Sequence, residues 1–175
     1  ALGATIVVAA GNSNTDAYNS TPASCDDVIT VAGVEKAGNR AYYSNYGSLV
    51  EIAAPGGDYT QGDYVWSTLN TGATTPGTDT YAGYQGTSMA APHVAGVAAL
   101  MYAVNGAMDN ATVSQLMQDT AKPFPGGSTC VGICGAGLLD AHAAVLAAQS
   151  PGANQSPMAV ATAPGYAPGD APLTV

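Results

Sequence analysis

The serine at position 88 stands where nucleophilic chemistry can occur. It follows Gly86 and Thr87 and opens a long uncharged segment of small and aliphatic residues, which predicts a buried helix over 88–104. A serine hydroxyl is a weak nucleophile at neutral pH, so acyl transfer needs a base and donors for the oxyanion that forms. A helix N-terminus favours such negative charge. The alternative interpretation is that Ser88 only caps the helix.

The side chain of Asn12 is a candidate hydrogen-bond donor for the oxyanion. It follows an apolar, β-branched run at 5–10 and Gly11, which together predict a buried strand of a parallel sheet that ends just before Asn12. Sites in α/β folds lie at this edge of the sheet. An amide can donate a hydrogen bond there without carrying charge. The alternative is that Asn12 is only a turn residue, as asparagine after glycine often is.

Two histidines are candidates for the general base that Ser88 requires. His93 lies five residues after Ser88, which on a helix places the two side chains about 140° apart, so His93 does not readily reach the serine oxygen. His142 lies in the last predicted helix, and we interpret it as structural. With both excluded, the 175 residues contain a candidate nucleophile and an oxyanion donor but no base.

The elements that must position these groups follow from the apolar pattern. Strands alternate with helices over the first 149 residues, which predicts an α/β fold with a mainly parallel sheet flanked by helices. The further expected elements are short strands at 28–34 and 50–54 and helices at 112–121, capped by Asn110 or Thr112, and at 139–149. Residues 56–80 are rich in Gly and Thr and predict a loop with a short strand at 64–66.

Two segments resemble those of a known family. Residues 86–96 (Gly-Thr-Ser-Met-Ala-Ala-Pro-His-Val-Ala-Gly) resemble the nucleophile segment of subtilisin-like serine proteases, and residues 9–12 (Ala-Ala-Gly-Asn) resemble their oxyanion-hole segment. Stretches at 41–47, 53–56 and 135–141 are also similar to the family. The resemblance implies that residues 1–149 are the C-terminal part of a subtilase catalytic domain, with only the C-terminal half of the subtilisin-like fold.

The same resemblance implies roles for single residues. Ser88 would form the acyl-enzyme of a secreted serine endopeptidase that acts on proteins or peptides, and Asn12 would bind the oxyanion together with the N–H of the nucleophile. Ala10 and Gly11 would line the substrate pocket. His93 is not the base in this family. Because the triad order in subtilisin is Asp, His, Ser, the acid and base are expected in a missing N-terminal part, and this chain alone is expected to be inactive.

Two other protein classes compete with this interpretation. A non-catalytic subtilase-like peptide-binding module would need neither the amide of Asn12 nor an exposed serine. A sedolisin-type enzyme would share the Gly-Thr-Ser sequence but would place an aspartate in the oxyanion hole. Asn12 and the long match after Ser88 favour the subtilisin branch.

The three cysteines predict one disulfide. Cys130 and Cys134 lie four residues apart in a Gly-rich stretch and can close a small loop; free thiols are the alternative. A zinc site lacks ligands, because this spacing supplies only two. The resemblance implies that Cys25 has its partner in the missing part.

Composition narrows the range of partners. The net charge is −9, with only Lys36, Arg40 and Lys122 as cations, which argues against nucleic acid and anionic membranes. The longest apolar run, at 94–104, has eleven residues, which is short of the roughly 20 that cross a bilayer. We therefore expect neither nucleic-acid nor membrane binding.

No cofactor is required for the expected chemistry. Subtilases often bind structural calcium, but no loop here has convincing ligand spacing. We interpret Asp58, Asp63 and Asp79 as solvated loop carboxylates.

The last 26 residues differ in composition from the rest. Residues 150–175 hold five of the eleven prolines and predict a linker. Segments 154–160 and 171–175 resemble the opening strand of a PKD-type module. A Pro-rich disordered tail is the alternative.

Overall fold

The computed structural model describes residues 4–149. The linker and the PKD-like segment predicted at 150–175 lie outside the described residues. The strands are β1 Val7–Ala9, β2 Ile29–Val34, β3 Ile52–Pro55, β4 Val65–Asn70 and β5 Asp79–Tyr84, and the helices are α1 Thr87–Val104, α2 Asn110–Asp119 and α3 Ala141–Ala148.

The first three strands form a parallel sheet in the order β1-β2-β3. Every residue of the central strand β2 is buried, because both faces of the sheet are covered. The larger core cluster joins Ile29, Val31 and Ile52 to Val94 and Met101 of α1, with α2 and α3 adding further apolar residues. A smaller cluster on residues such as Ala32, Val34 and Ala53 packs against the Cys130–Cys134 loop. The parallel sheet with flanking helices confirms the predicted α/β class.

Helix α1 is the long apolar helix that the sequence predicts, but it is not buried on nearly all sides. It packs against all three parallel strands and α3. By length and composition it could cross a membrane, and 33% of it is buried inside the fold; its packing on the sheet is that of a core helix. An uncharged face that includes Pro92, Ala95, Gly96 and Ala99 is exposed or half-exposed among residues 4–149. Pro92 is the sixth residue of the helix.

The starts of the two shorter helices are set by aspartate caps. The Asp109 carboxylate accepts a hydrogen bond from the Thr112 N–H at 2.8 Å, so the predicted caps Asn110 and Thr112 are wrong and α2 begins earlier than expected. The Asp140 carboxylate accepts from the Ala143 N–H at 3.0 Å and pairs with Lys122 at 3.2 Å. These two contacts lower the pKa of Asp140.

Strands β4 and β5 form an antiparallel hairpin where a loop with a short strand was predicted. Their register runs from Val65 opposite Tyr84 to Asn70 opposite Asp79. The strands are mostly exposed, so no apolar alternation marks them in the sequence. At the tip, the Asn70 amide donates to the Gly77 carbonyl at 3.0 Å and accepts from the Gly72 N–H at 2.9 Å. The Thr71 N–H also donates to the Thr78 carbonyl, and the Thr78 N–H donates to the Thr71 hydroxyl, each at 2.9 Å. Asn70 and Thr71 therefore close the hairpin together.

The predicted disulfide is present. Cys130 and Cys134 are bonded and completely buried under the sheet. Cys25 is an exposed free thiol within residues 4–149.

Candidate active site

Ser88 is the second residue of α1 and is exposed. Hairpin strand β5 ends at Tyr84 and leads through Gln85 to Gly86, which precedes the helix with a φ of 147°. This φ lies in the region that favours glycine. The turn therefore presents both the hydroxyl and the backbone N–H of Ser88 at a helix N-terminus.

The structure brings Asn12 against the same turn. The Asn12 Oδ1 atom accepts hydrogen bonds from the Thr87 N–H at 2.9 Å and from the Thr87 hydroxyl at 2.8 Å. The Thr87 hydroxyl in turn accepts from the Gly11 N–H at 3.2 Å. Because Oδ1 accepts from two donors, the orientation of the amide is fixed. Within the described residues, Asn12 Nδ2 donates to no protein acceptor, so this N–H group is available to a ligand.

Two nitrogen donors lie close to one point beside Gly86. A Cβ atom added to Gly86 would lie 3.7 Å from Asn12 Nδ2, 3.7 Å from the Ser88 backbone nitrogen and 3.6 Å from Met89 Sδ. Glycine thus leaves open a space that both N–H donors border, next to a serine hydroxyl. Such a space can hold the oxygen of a tetrahedral intermediate.

The other two predicted site residues support the Asn12 loop. Ala10 is completely buried, and its carbonyl accepts a hydrogen bond from Asn45 Nδ2 at 2.9 Å. Gly11 is half-buried, and its carbonyl accepts from the Asn45 N–H at 2.8 Å. That Ala10 and Gly11 line a substrate pocket stays a prediction.

Two side chains without a sequence-based role surround the candidate site. The buried Asn45 amide spans the loop that carries Asn12, and the buried Tyr43 hydroxyl accepts a hydrogen bond from the Gly86 N–H at 2.9 Å. Burial raises the pKa of Tyr43 well above its usual value, so the hydroxyl keeps its proton and can also donate. Both residues lie in the stretch 41–47 that resembles the family, but sequence patterns cannot show which groups they contact.

The histidines do not complete a catalytic triad in the described residues. His93 Nδ1 lies 2.8 Å from the Met89 carbonyl, one turn back on its own helix. A carbonyl only accepts, so Nδ1 carries the proton and the ring is tied to α1. His142 is exposed on α3, and its structural role stays a prediction.

Carboxylates near the site are not arranged for metal binding. Within residues 4–149, no group of three or more His, Cys, Asp or Glu side chains could hold a metal ion. Asp58, interpreted as a solvated loop carboxylate, is instead buried and accepts from the Tyr42 and Thr60 N–H groups. Asp63 accepts from the Lys36 N–H at 2.8 Å, and Asp79 is exposed at the start of β5.

A model of the subtilase family matches residues 1–137. The chain belongs to the subtilase family. This match covers the Asn12 loop, the Ser88 turn and most of the elements that hold them. The placement of Asn12 beside Ser88 thus occurs in a chain whose family is established.

Several relatives are similar to this subtilase over most of its length. It is 49% identical over 147 residues to an extracellular protease of Xanthomonas campestris pv. campestris, an alignment that covers 83% of the chain and 24% of that protein. It is 40% identical over 148 residues to an extracellular basic protease of Dichelobacter nodosus, covering 82% of the chain and 23% of that protein. The chain therefore spans about a quarter of the length of these two relatives.

Solved structures show the same likeness. A protease from Pseudoalteromonas arctica PAMC 21717 matches with a TM-score of 0.77 and 46% identity, covering 83% of this chain and 43% of that one. A cold-adapted subtilisin-like serine proteinase matches with a TM-score of 0.59 and 31% identity, covering 79% and 44%. Both likenesses confirm the subtilisin-like fold of the subtilase chain.

Proposed function

We propose that this chain is the C-terminal part of the catalytic domain of a secreted serine endopeptidase, which cleaves peptide bonds through an acyl-enzyme on Ser88. The observation that carries the proposal is the position of Asn12 Nδ2 and the Ser88 backbone nitrogen, each 3.7 Å from the point that a Cβ atom on Gly86 would occupy. A domain that only bound peptides would have no need of two nitrogen donors beside an exposed serine.

The chemistry follows from this geometry. The Ser88 hydroxyl loses its proton to a base and attacks the carbonyl carbon of the scissile peptide bond. The carbonyl oxygen becomes an oxyanion, which accepts hydrogen bonds from Asn12 Nδ2 and the Ser88 N–H. The intermediate then releases the amine, which takes up the proton, and leaves an ester on Ser88. Attack by water on this ester releases the acid and regenerates the serine. These steps require no cofactor, so any calcium would be structural.

The base and the acid are proposed to come from a preceding part of the same protein. The chain spans about a quarter of the two relatives' length, which leaves room for such a part. The uncharged exposed face of α1 and the outer edge of β1, which pairs with no strand among residues 4–149, offer it a surface to pack on. Ile6, just before β1, is 52% exposed. The isolated chain is accordingly proposed to be inactive.

Three further features belong to the proposal. Ala10 and Gly11 would border the substrate through the loop that carries Asn12. The names of the two relatives support secretion, and an oxidising environment suits the disulfide between Cys130 and Cys134. The preceding part would also supply the partner of Cys25.

The test uses the full-length protein that contains this chain. Hydrolysis of casein and of a set of chromogenic peptides is measured for the wild type, for Ser88→Ala and for Ser48→Ala, an exposed serine away from the site. We expect Ser88→Ala to abolish hydrolysis and Ser48→Ala to leave it unchanged, because Ser48 is exposed and makes no hydrogen bond with Asn12 or Ser88 within residues 4–149. Full activity in Ser88→Ala, or an upstream sequence without an Asp and a His at family-like positions, would overturn the proposal. A protein that binds peptides without hydrolysing them would support the non-catalytic module.

A further inference from the structure

One short segment, 43–45, contacts both halves of the candidate oxyanion site. On the nucleophile side, the Tyr43 hydroxyl accepts from the Gly86 N–H at 2.9 Å. Its own proton is shared between the carbonyls of Gly56 at 2.8 Å and Gly57 at 2.6 Å. The Gly86 N–H also donates directly to the Gly56 carbonyl at 2.8 Å. The hydroxyl therefore reinforces a backbone link between the start of the Ser88 turn and the loop that follows β3.

The Tyr43 hydroxyl fits this position because two glycines leave room for it. A Cβ atom on Gly56 would lie 2.8 Å from the phenolic oxygen, and one on Gly33 would lie 3.4 Å from it. The atom on Gly56 would clash with the oxygen, and the atom on Gly33 would lie in van der Waals contact with it. The backbones of Gly33 and Gly56 therefore leave room for the hydroxyl group of Tyr43 as well as for its aromatic ring.

On the other side, Asn45 holds the loop that carries Asn12. Its Nδ2 donates to the Ala10 carbonyl and to the Ser20 hydroxyl, each at 2.9 Å. Its Oδ1 accepts from the Ser13 N–H at 2.9 Å and the Thr15 N–H at 3.2 Å. All four hydrogen-bonding positions of this buried amide are therefore used, and they bind the chain on both sides of Asn12.

The segment is itself attached to the central strand. The Ala41 N–H donates to the Gly33 carbonyl at 3.0 Å, and the Gly33 N–H donates to the Ser44 hydroxyl at 2.9 Å. Gly33 lies in β2, whose residues are all buried. A rigid strand thus fixes the base from which Tyr43 and Asn45 extend.

We propose that Tyr43 and Asn45 are positioning residues, which together set the separation of Asn12 Nδ2 and the Ser88 N–H. The inference rests on the proposed function and adds to it two residues that touch neither substrate nor nucleophile. Because donors must be in place before the oxyanion forms, loss of this positioning lowers the rate of the chemical step and leaves substrate binding unchanged.

The decisive variant is Tyr43→Phe in the full-length protein, since it removes one oxygen and keeps the ring. We expect kcat to fall about tenfold with KM within about twofold of the wild type, an effect of the size of one hydrogen bond. Affinity for a peptide boronic acid, which mimics the tetrahedral intermediate, should fall by the same factor. Affinity for the cleaved peptide product should not change.

Tyr102→Phe is the matched control. The Tyr102 hydroxyl makes a 2.7 Å hydrogen bond with Thr5, and it lies fourteen residues beyond Ser88 on α1, about 21 Å along the helix axis. Like Tyr43→Phe, this variant removes a tyrosine hydroxyl that makes a hydrogen bond, and Tyr102 is half-buried. We expect it to lower the unfolding temperature without changing kcat or boronic acid affinity.

Asn45→Asp provides a second, independent variant. It keeps the shape and the acceptor oxygen but loses the two donated hydrogen bonds, and the same loss of kcat without a change in KM is expected. The proposal is overturned if both variants keep kcat within twofold of the wild type, as Tyr102→Phe is expected to do, or if the loss of kcat is accompanied by a change in KM of more than about twofold. Absence of Ser88-dependent hydrolysis in the wild type would instead refute the proposed function.

Discussion

The residues around Asn12 and Ser88 and the β4–β5 hairpin are neighbours in sequence and space, but they are held in different ways. Around the candidate site, the buried side chains of Tyr43, Asn45 and Thr87 each make several hydrogen bonds with defined partners. On the hairpin, large side chains face outward, and Trp66 and Tyr81 are 67% and 74% exposed. The hairpin is held mainly by backbone pairing and by Asn70.

This difference shows which part of the molecule fixes the position of reacting groups. A side chain whose hydrogen-bonding positions are all used has one orientation, and its loss leaves buried groups unpaired. An exposed side chain on a hairpin exchanges protein contacts for water at little cost. Substitutions around Asn12 and Ser88 should therefore change activity strongly, whereas substitutions on the outward face of the hairpin should change little.

The largest effect is expected for Asn12→Ala. Removal of one oxyanion donor should lower kcat by about 10²–10³ with little change in KM; this magnitude is the one known for subtilisin itself, not one derived from this chain. Steady-state peptide hydrolysis by the full-length protein measures it. Asn12→Asp, which keeps the acceptor oxygen for Thr87 but loses the donor, should fall at least as far. A kcat within a few-fold of the wild type in Asn12→Ala would remove Asn12 from the mechanism.

A smaller loss is expected for Gly86→Ala. The new methyl group would occupy the space that Asn12 Nδ2 and the Ser88 N–H border, and its backbone conformation would cost about 1–3 kcal/mol. We expect kcat to fall tenfold or more and the unfolding temperature to drop.

Gly62→Ala is the control for Gly86→Ala. Gly62 has a φ of 65°, and no atom lies within 4 Å of its added Cβ. It should lower stability without lowering kcat. Equal kcat values in Gly86→Ala and Gly62→Ala would mean that the space over Gly86 is not used in the reaction.

The smallest effect is expected for Tyr81→Ser on the hairpin. Because Tyr81 is largely exposed and belongs to neither core cluster, the free energy of unfolding should change by no more than about 0.5 kcal/mol. Chemical denaturation in a Ser88→Ala background, which prevents self-digestion, measures this change. A loss of unfolding free energy above about 2 kcal/mol would contradict the expectation that exposed side chains of the hairpin contribute little to stability.

Sequence patterns predicted the strands and the helix that are rich in apolar residues because they pack in the core. The β-branched runs before Asn12 and at β2, and the uncharged run after Ser88, predicted the parallel strands and α1 because such residues fill a core. The hairpin was missed because its strands face water and carry Thr, Gly and Tyr without alternation. Its register depends on backbone pairing and on polar side chains at the tip, neither of which has a periodic signature.

The residues of the candidate site likewise fall into those that the sequence located and those that it did not. Ser88 and Asn12 could be located because the segments 86–96 and 9–12 resemble those of subtilases; the local pattern alone also fits a helix cap and a turn residue. The structure places the two residues together. Tyr43 and Asn45 could not, because their importance lies in contacts with residues distant along the chain. Asp58 was interpreted as solvated for the same reason: its burial depends on the segments that fold over it.

The central claim is that Ser88 is a nucleophile served by the Asn12 and Ser88 N–H donors. The most direct measurement is labelling of the full-length protein with a fluorophosphonate, followed by peptide mass mapping. We expect modification at Ser88 that is absent in Ser88→Ala, slower in Asn12→Ala and absent in the isolated 175-residue chain. Folded full-length protein that remains unmodified at Ser88, or labelling that is unaffected by Ser88→Ala, would contradict it.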